Sequence, residues 1–423
     1  MLISRLAGVF TCDGLAIGQG RRPKIKDCGF VPGPVDILCD PELGQILEIT
    51  SASAKIPDSG EVIDGGGLYA TPGFIDSHSH ALYAGHRGNE HFSRWGGATY
   101  LQIAKRGGGI RRTVQATANC PDDHLATLLA GRLGAMLRCG TTTVEVKSGY
   151  GQTGDDELRL LRVIGSVRKV PNLPEVFSTF LALHALPPGI SEAGYCRSMV
   201  AILPEIVQEK LASFVDVFPE RGFFSLQAAV RFVEKAVEGG LRPKIHADEI
   251  TDMGASESFV KLGALSVDHL QQISPNSIKL LGAVDTVATV MPATSFFLGM
   301  QYANARRLID SGACVAVAAD FNPGTAPLPD LQTTNLLAAS RLRMTPAEIL
   351  CACTYNGAQA LGISTTHGIL APRRVANLLL WDVGVDESGE HGEGVLAEIF
   401  TRRLMPAQVF VRGKLIGASV HGT

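Results

Sequence analysis

The chain of 423 residues lacks the marks of several broad protein classes. No apolar run approaches the roughly 18 residues of a membrane span. The stretch 1–20 has neither the apolar core nor the cleavage pattern of a secretory signal. Its nine cysteines form no Cys-x-x-Cys pair, which disfavours a disulfide framework and the usual zinc spacings. The net charge of −3 provides no basic field for nucleic acid or an anionic membrane. We therefore expect a cytoplasmic protein with reduced thiols that binds neither nucleic acid nor a membrane.

What is present is a long alternation of strands and helices. Hydrophobic residues make up 45% of the chain and charged residues 19%, which supplies ample material for a core. The apolar runs that predict strands are Gly73–Asp76, Thr142–Val146, Val176–Leu183, Phe214–Phe218, Pro243–His246, Leu265–Val267, Thr286–Met291 and Cys314–Ala319. Helical spacing occurs in Asp122–Cys139, Asp156–Val170, Arg197–Leu211 and Ser225–Glu238. This pattern predicts an α/β fold, a (β/α)8 TIM barrel. A doubly wound open sheet is the alternative, but no Gly-x-Gly-x-x-Gly follows an early strand.

Both ends of the chain have β-strand patterns. Val35–Leu38 and Gln45–Ile49 alternate like short strands near the N-terminus, and Asn377–Asp382 and Gln408–Val411 do so near the C-terminus. The acidic segment Asp386–Gly394 between the last two has a loop composition. We expect the two ends to pair into one small β-sandwich domain beside the barrel. The predicted domains are residues 1–68 for its N-terminal part, 69–362 for the barrel and 363–423 for its C-terminal part.

Four residues of metal-ligand type lie at the ends of these apolar runs. They are His78, His80, His246 and Asp320. Side chains two apart on an extended strand point to the same face, so His78 and His80 can reach one ion. Parallel barrel strands carry their chemistry at their C-terminal ends, where the other two residues also lie. Three imidazoles and a carboxylate suit Zn²⁺, and also Fe²⁺ or Mn²⁺. Such an ion lowers the pKa of a coordinated water to roughly 7, which predicts a metal-dependent hydrolase.

Two further residues are candidates for proton transfer. His269 ends the sixth predicted strand, where it could be a fifth ligand, stabilise an oxyanion, or orient other groups. Glu249 follows His246 by three residues and could carry a proton from water to a leaving nitrogen. Lys147 and Glu220 are conceivable bridges to a second ion, but Lys147 follows too early a strand and Glu220 suits a helix N-terminus. We therefore expect one metal ion per chain.

Several loop residues suit a planar, anionic substrate. Arg87 follows the first barrel strand, where its guanidinium could bind a carboxylate through two hydrogen bonds. Tyr100 and Tyr150 have donor hydroxyls, and His184 ends the third strand. The segment Asn322–Thr325 after Asp320 predicts a tight turn with backbone donors directed into the mouth of the barrel.

These motifs resemble the amidohydrolase superfamily, and within it the imidazolonepropionases of histidine degradation. The resemblance covers about residues 65 to 382 through Pro72–His80, Gly107–Ile110, Thr142–Gly151, His184–Pro188, Ile245–Glu249, Asp268–Leu270 and Asp320–Thr325. It implies one Zn²⁺ or iron ion on His78, His80, His246 and Asp320, and a homodimer. It implies substrate contacts from Arg87, Tyr100, Tyr150, His184, Glu249, Asn322, Gly324 and Thr325. It also implies hydrolysis of 4-imidazolone-5-propanoate to N-formimino-L-glutamate, with Glu249, His269 and Asp320 as catalytic residues.

Two other functions are compatible with this pattern. A deaminase of the same superfamily, acting on a nucleobase-like ring, uses a similar ligand set. Arg87 and Tyr150 favour a substrate with a carboxylate tail instead, which nucleobases lack. A non-catalytic relative that serves as a binding or scaffold protein would be expected to lack ligands, whereas all four are present here.

Overall fold

The computed structural model describes residues 1–51, 60–98, 102, 108–384 and 392–418. The strands are β1 (Leu2–Phe10), β2 (Phe30–Asp40), β3 (Gln45–Ser51), β4 (Val62–Asp64), β5 (Tyr69–Pro72), β6 (Phe74–Asp76), β7 (Thr141–Lys147), β8 (Glu175–Leu183), β9 (Phe214–Val217), β10 (Arg242–Ala247), β11 (Ser266–His269), β12 (Val287–Val290), β13 (Val315–Val317), β14 (Leu378–Trp381), β15 (Gln408–Val411) and β16 (Lys414–Ala418).

The helices are α1 (Asp13–Ile17), α2 (Gly88–Trp95), α3 (Ile110–Ala118), α4 (Asp122–Arg138), α5 (Gly154–Val167), α6 (Glu192–Ala201), α7 (Leu203–Gln208), α8 (Leu226–Glu238), α9 (Ala255–Lys261), α10 (Pro275–Leu281), α11 (Pro292–Leu298), α12 (Ala305–Ser311), α13 (Leu331–Leu342), α14 (Pro346–Ala352), α15 (Tyr355–Ala360) and α16 (Glu393–Thr401). In the part of the chain that the structure describes, no helix has the length and apolar character needed to cross a membrane.

Strands β6 to β13 form the predicted (β/α)8 barrel. The eight strands lie in chain order, and each pairs in parallel with the next. The barrel closes beyond the ends of β6 and β13, where Ser79 forms a parallel bridge with Phe321. There the backbone N–H of His80 donates to the carbonyl of Phe321 at 2.9 Å. The closure brings residues that follow the first and last strands side by side, as the proposed metal ligands require.

The remaining strands join both chain ends in one mixed sheet. Its order is β16-β15-β14-β5-β1-β2-β3, and β4 pairs with β1. The sheet has its own apolar core, and Trp381 of β14 packs against Phe74 of β6 with ring centroids 5.6 Å apart. The indole N–H of Trp381 donates to Thr71 Oγ1 at 2.9 Å, so the polar group of this buried side chain has a hydrogen-bond partner. The small β domain predicted from the chain ends is therefore present.

Two helical regions differ from the sequence prediction. The predicted helix Arg197–Leu211 is two helices, α6 and α7, which meet at Ile202, because Pro204 starts a new helix more readily than it continues one. Helix α16 was not predicted; the C-terminal region was expected to be strand and loop. Its buried residues Val395, Leu396, Ile399 and Phe400 have helical spacing, but the acidic, glycine-containing segment before it obscured that pattern.

Candidate metal centre and substrate pocket

The four proposed ligands meet at the C-terminal end of the barrel. His78 and His80 follow β6, His246 lies in β10 and Asp320 follows β13. Ring nitrogens of His78, His80 and His246 lie within 4.8 Å of one another. His78 Nε2 is 3.3 Å from His80 Nε2, and Asp320 Oδ1 is 3.4 Å from His80 Nε2. All four side chains are buried.

This geometry fits a single small cation. Two nitrogens that each bind Zn²⁺ at 2.0–2.1 Å with tetrahedral angles lie about 3.3 to 3.4 Å apart, which matches the His78–His80 separation. Burial is the main cause that lowers the pKa of both His78 and His80 well below the usual value, so both rings are neutral and present lone pairs. Two neutral nitrogens at this distance, with a carboxylate oxygen beside them, have the donor chemistry of a metal site.

Buried oxygens on neighbouring strands orient the ligands. Asp268 Oδ2 of β11 accepts from His78 Nδ1 at 2.7 Å, and Asp216 Oδ2 of β9 lies 2.8 Å from His246 Nδ1. Both contacts leave the Nε2 atoms free to face the centre. Thr294 Oγ1 donates to Asp320 Oδ2 at 2.6 Å, which leaves Oδ1 toward the histidines. Such supporting contacts fix the tautomer and direction of a ligand.

A buried ionic network lies beneath the ligands and contains Lys147, a candidate bridge to a second ion. Lys147 Nζ lies 2.6 Å from Glu145 Oε1 and 2.9 Å from Asp216 Oδ2. Burial opposes the charge of Lys147, but these carboxylates raise its pKa above the usual value, so it is a protonated lysine. Glu220, the other candidate bridge, accepts from the backbone N–H groups of Ile250 and Thr251 at 3.0 and 3.1 Å. Both candidate bridges are engaged in contacts with other protein groups in the described structure.

The two proton-transfer candidates, Glu249 and His269, lie together beside the ligands. Glu249 Oε1 is 3.8 Å from His269 Nδ1. Burial, with repulsion from Asp320 and Glu220, raises the pKa of Glu249 to about 8. Burial lowers the pKa of His269 to about 3, so its ring is neutral. His269 and Asp320 have φ of 83° and 51°, a left-handed region that few residues other than glycine adopt. Strain of this kind at both positions is typical of functional sites.

Three of the proposed ligands, His80, His246 and Asp320, line one cavity of about 440 Å³ together with the proton-transfer pair. Its lining includes Arg87, Tyr150, His184, Asn322 and Thr325 among the predicted substrate residues. Apolar side chains complete it: Ile110, Phe218, Phe223, Ile250, Leu298 and Met300. A mostly apolar cavity with a few converging polar groups is typical of a small-molecule site.

Arg87 is held against the glycine of the predicted turn. Its Nε donates to Glu90 Oε2 at 2.9 Å, which fixes the guanidinium plane. A Cβ at Gly324 would lie 1.8 Å from Arg87 Nη1, so only glycine leaves room for the guanidinium there. Asn322 closes the turn, because its Oδ1 accepts from the N–H groups of Gly324 and Thr325 at 2.8 and 2.7 Å. These two backbone donors, expected to face the barrel mouth, are thus occupied by the turn itself.

Tyr150 and His184 form an aromatic wall of the cavity. Their ring centroids are 5.6 Å apart, and that of His184 is 5.1 Å from that of His80. His184 Nδ1 donates to the carbonyl of Gly149 at 2.9 Å, which leaves Nε2 as an acceptor. Burial raises the pKa of Tyr150 above the usual value, so its hydroxyl keeps its proton. Tyr100, also predicted to bind substrate, lies outside the described residues.

Sequence reasoning missed several residues that shape the site. Asp216 lies within a predicted strand and Asp268 directly follows one, so a charged residue inside or beside an apolar run was the available signal. Arg94 of α2 also lines the cavity and donates to the carbonyl of Gly324. Nothing in the local sequence separates it from the many exposed arginines.

A (β/α)8 barrel that gathers three histidines and an aspartate at the C-terminal ends of its strands defines the amidohydrolase class. The model of the Amidohydrolase family matches residues 233–416. The imidazolonepropionase of Thermoanaerobacter pseudethanolicus is 40% identical over 343 residues, covering 80% of this chain and 82% of that protein. The imidazolonepropionase of Geobacillus thermodenitrificans is 42% identical over 325 residues, 76% of each chain. The solved structure of a triazine hydrolase variant aligns with a TM-score of 0.74 at 17% identity, over 100% of this chain and 96% of its own. The chain belongs to the imidazolonepropionase family.

Proposed function

We propose that this chain hydrolyses the ring amide of 4-imidazolone-5-propanoate to N-formimino-L-glutamate. The amide C–N bond breaks, the oxygen of water joins the carbonyl carbon to give a carboxylate, and the ring nitrogen gains a proton. One observation carries the proposal: the histidine–aspartate cluster (His78, His80, His246 and Asp320) and Arg87 meet at one cavity of about 440 Å³. Three members of the cluster, His80, His246 and Asp320, line this cavity, and so does Arg87. That cavity can therefore hold a small ring at the cluster and its carboxylate tail at Arg87.

We propose that His78, His80, His246 and Asp320 hold one divalent ion, Zn²⁺ or iron. A bound ion of this kind polarises a carbonyl group and lowers the pKa of water. Neutral imidazoles and an ionised carboxylate are the forms of these side chains that bind a cation.

Glu249 and His269 divide the remaining chemistry in this proposal. Glu249 accepts a proton from the attacking water and delivers it to the leaving nitrogen. Its pKa, which burial raises to about 8, lies close enough to neutral pH for it to serve in both directions. His269 is neutral, and its ring N–H donates to the carbonyl oxygen as that oxygen gains negative charge. Asp320 contributes as a ligand at the reacting centre.

Substrate recognition is assigned to the loops. The Arg87 guanidinium binds the propanoate carboxylate through paired hydrogen bonds. Tyr150 and His184 contact the ring, and Asn322, Gly324 and Thr325 bind the substrate from the turn. Tyr100 remains a predicted contact.

Several predictions concern the whole protein rather than the site. We propose a homodimer, a cytoplasmic location and the domain limits 1–68, 69–362 and 363–423. Strand β5 (Tyr69–Pro72) pairs with sheet strands β1 and β14, so the first limit falls beside the sheet-to-barrel transition.

Product analysis tests the proposed reaction against the deaminase alternative. The metal-loaded chain is incubated with 4-imidazolone-5-propanoate and, separately, with a panel of nucleobases, and the products are identified by mass spectrometry. We expect N-formimino-L-glutamate from the first and no ammonia from the second. Ammonia release from a nucleobase, without formation of N-formimino-L-glutamate, would replace this proposal with the deaminase.

A further inference from the structure

A buried carboxylate that the proposed chemistry does not use lies behind the aromatic wall of the cavity. Glu157 is in the first turns of α5 and is completely buried. Its Oε2 accepts from the N–H of Gly149 at 2.9 Å, and its Oε1 accepts from the N–H of Gly151 at 2.6 Å. One side chain thus binds the loop on both sides of Tyr150.

The two glycines of this loop are required by that arrangement. Gly149 has φ of +98°, and a Cβ there would lie 2.7 Å from Leu181 Cδ2. A Cβ at Gly151 would lie 2.6 Å from Glu157 Oε1. The backbone therefore approaches both the neighbouring strand and the carboxylate more closely than other residues permit. These contacts explain the two glycines of the Lys-Ser-Gly-Tyr-Gly motif, residues 147–151, in physical terms.

The loop also holds the second aromatic residue of the wall. The carbonyl of Gly149 accepts from His184 Nδ1 at 2.9 Å, so its position sets the direction of the His184 ring. Glu157 is thereby connected to Tyr150 through the backbone and to His184 through one further hydrogen bond. Burial raises the pKa of Glu157 to about 7, because an ionised carboxylate is destabilised away from water. A neutral side chain could accept from one amide with a smaller loss of folding free energy.

We propose that Glu157 is a positioning residue for substrate binding, which holds the 148–151 loop so that Tyr150 and His184 face the cavity. The inference rests on the proposed function for its kinetic part. If it is correct, a change at Glu157 weakens substrate binding and leaves the chemical step largely intact. Among the described residues, segment 148–151 makes no hydrogen bond to the proposed metal ligands or to Glu249.

The test compares Glu157→Gln with Asp156→Asn in the metal-loaded chain. Asp156 is the adjacent acid and caps α5 together with Thr153. Its carboxylate accepts from the N–H groups of Gln152 and Thr153, not from those of Gly149 and Gly151. We expect Glu157→Gln to raise KM for 4-imidazolone-5-propanoate about tenfold, with kcat changed less than about threefold, since uniform binding is lost. Asp156→Asn should lower the melting temperature without this change in KM. In a Tyr150→Phe background, Glu157→Gln should raise KM by a smaller factor.

A second measurement needs no substrate. Hydrogen–deuterium exchange of segment 148–151 should be faster in Glu157→Gln than in the wild type, and unchanged in Asp156→Asn. Equal KM values for the two variants, or unchanged exchange in this segment, would overturn the inference. A wild type that does not hydrolyse the substrate contradicts the proposed function, and the exchange experiment then decides the positioning role alone. If Glu157→Gln does not fold, Glu157→Asp keeps the charge on a shorter side chain and should raise both KM and exchange.

Discussion

Arg87 is the residue that we propose selects an anionic substrate. Its guanidinium is fixed by Glu90 and packed over Gly324, so its fork has a defined direction in the cavity. Arg87→Lys keeps the charge but loses the planar fork. We expect KM for 4-imidazolone-5-propanoate to rise by about 10- to 100-fold. This factor corresponds to the free energy of one hydrogen bond to a charged group. The exposed Arg112→Lys is the matched control and should not change KM.

An analogue of the substrate strengthens that test. With a ring that has an ethyl group in place of the propanoate, the wild type and Arg87→Lys should have the same kcat/KM. If Arg87→Lys impaired both compounds equally, Arg87 would not be the carboxylate contact.

Glu249 should control the dependence of the rate on pH. A general base acts in its ionised form, so kcat/KM should rise as pH increases through the pKa of Glu249. In the described structure that pKa is raised to about 8 by burial and by neighbouring carboxylates. A bound cation favours the ionised form, so we expect the midpoint below this value.

Glu249→Gln checks this account of the pH profile. The variant should lower kcat by about 10²- to 10⁴-fold and should remove the acidic limb of the profile. Its bound metal, measured by atomic emission, should equal that of the wild type. An acidic limb with the same midpoint in the variant would assign it to another group.

At the scale of elements, acidic side chains of neighbouring strands contact the proposed metal ligands. Asp268 of β11 bonds to His78, which follows β6, and Asp216 of β9 contacts His246 of β10. Asp268→Asn keeps the shape and an acceptor oxygen but removes the charge. We expect metal affinity to fall about 10- to 100-fold, as measured by competition with a chelator.

The control for that variant is Asp285→Asn, which removes an equal charge from a side chain that is 92% exposed. It should leave metal affinity unchanged. Equal affinities of Asp268→Asn and the wild type would show that the charge of Asp268 does not support the site.

Much at this scale was predictable from the sequence, because each barrel strand is a short apolar run with a polar residue at its end. His78 and His246 were found in this way. The sequence could not specify which acids support them, because Asp268 and His78 are 190 residues apart and meet only when the barrel closes. Helix α16 was missed because its apolar face packs on α13 and α14, which precede it by many residues in the chain. The local sequence alone does not show that contact.

At the scale of the whole molecule, Glu175 joins the β domain to the barrel. It begins β8, and its carboxylate contacts His367 at 3.0 Å, Asn377 at 2.7 Å and Arg412 at 2.6 Å. Burial alone would raise the pKa of Glu175, but these partners lower it to about 2. A lowered folded-state pKa gives stability that is fully present above the unfolded value of about 4.3 and lost as pH falls toward 2.

Glu175→Gln should therefore lower the free energy of unfolding at pH 7, and lower it less at pH 3. We expect a loss of roughly 2 kcal/mol at neutral pH, reduced from the full linkage value because Arg412 is half exposed. Urea unfolding at pH 7 and pH 3 measures the difference. Glu209→Gln, which removes an exposed partner of Arg162, is the control and should change little at either pH. A difference between wild type and Glu175→Gln that is the same at both pH values would contradict this assignment.

The central claim is that the histidine–aspartate cluster binds the ion with which the chain opens an imidazolone ring. The most direct measurement is the decay of ultraviolet absorbance of fresh 4-imidazolone-5-propanoate, followed as metal is added to the metal-free chain. We predict a decay rate that rises with bound metal and saturates at about one ion per chain, as a single four-ligand site requires. The same titration of His246→Ala should give no decay. Absence of decay in the wild type with one ion bound, or an equal rate in His246→Ala, would contradict the account.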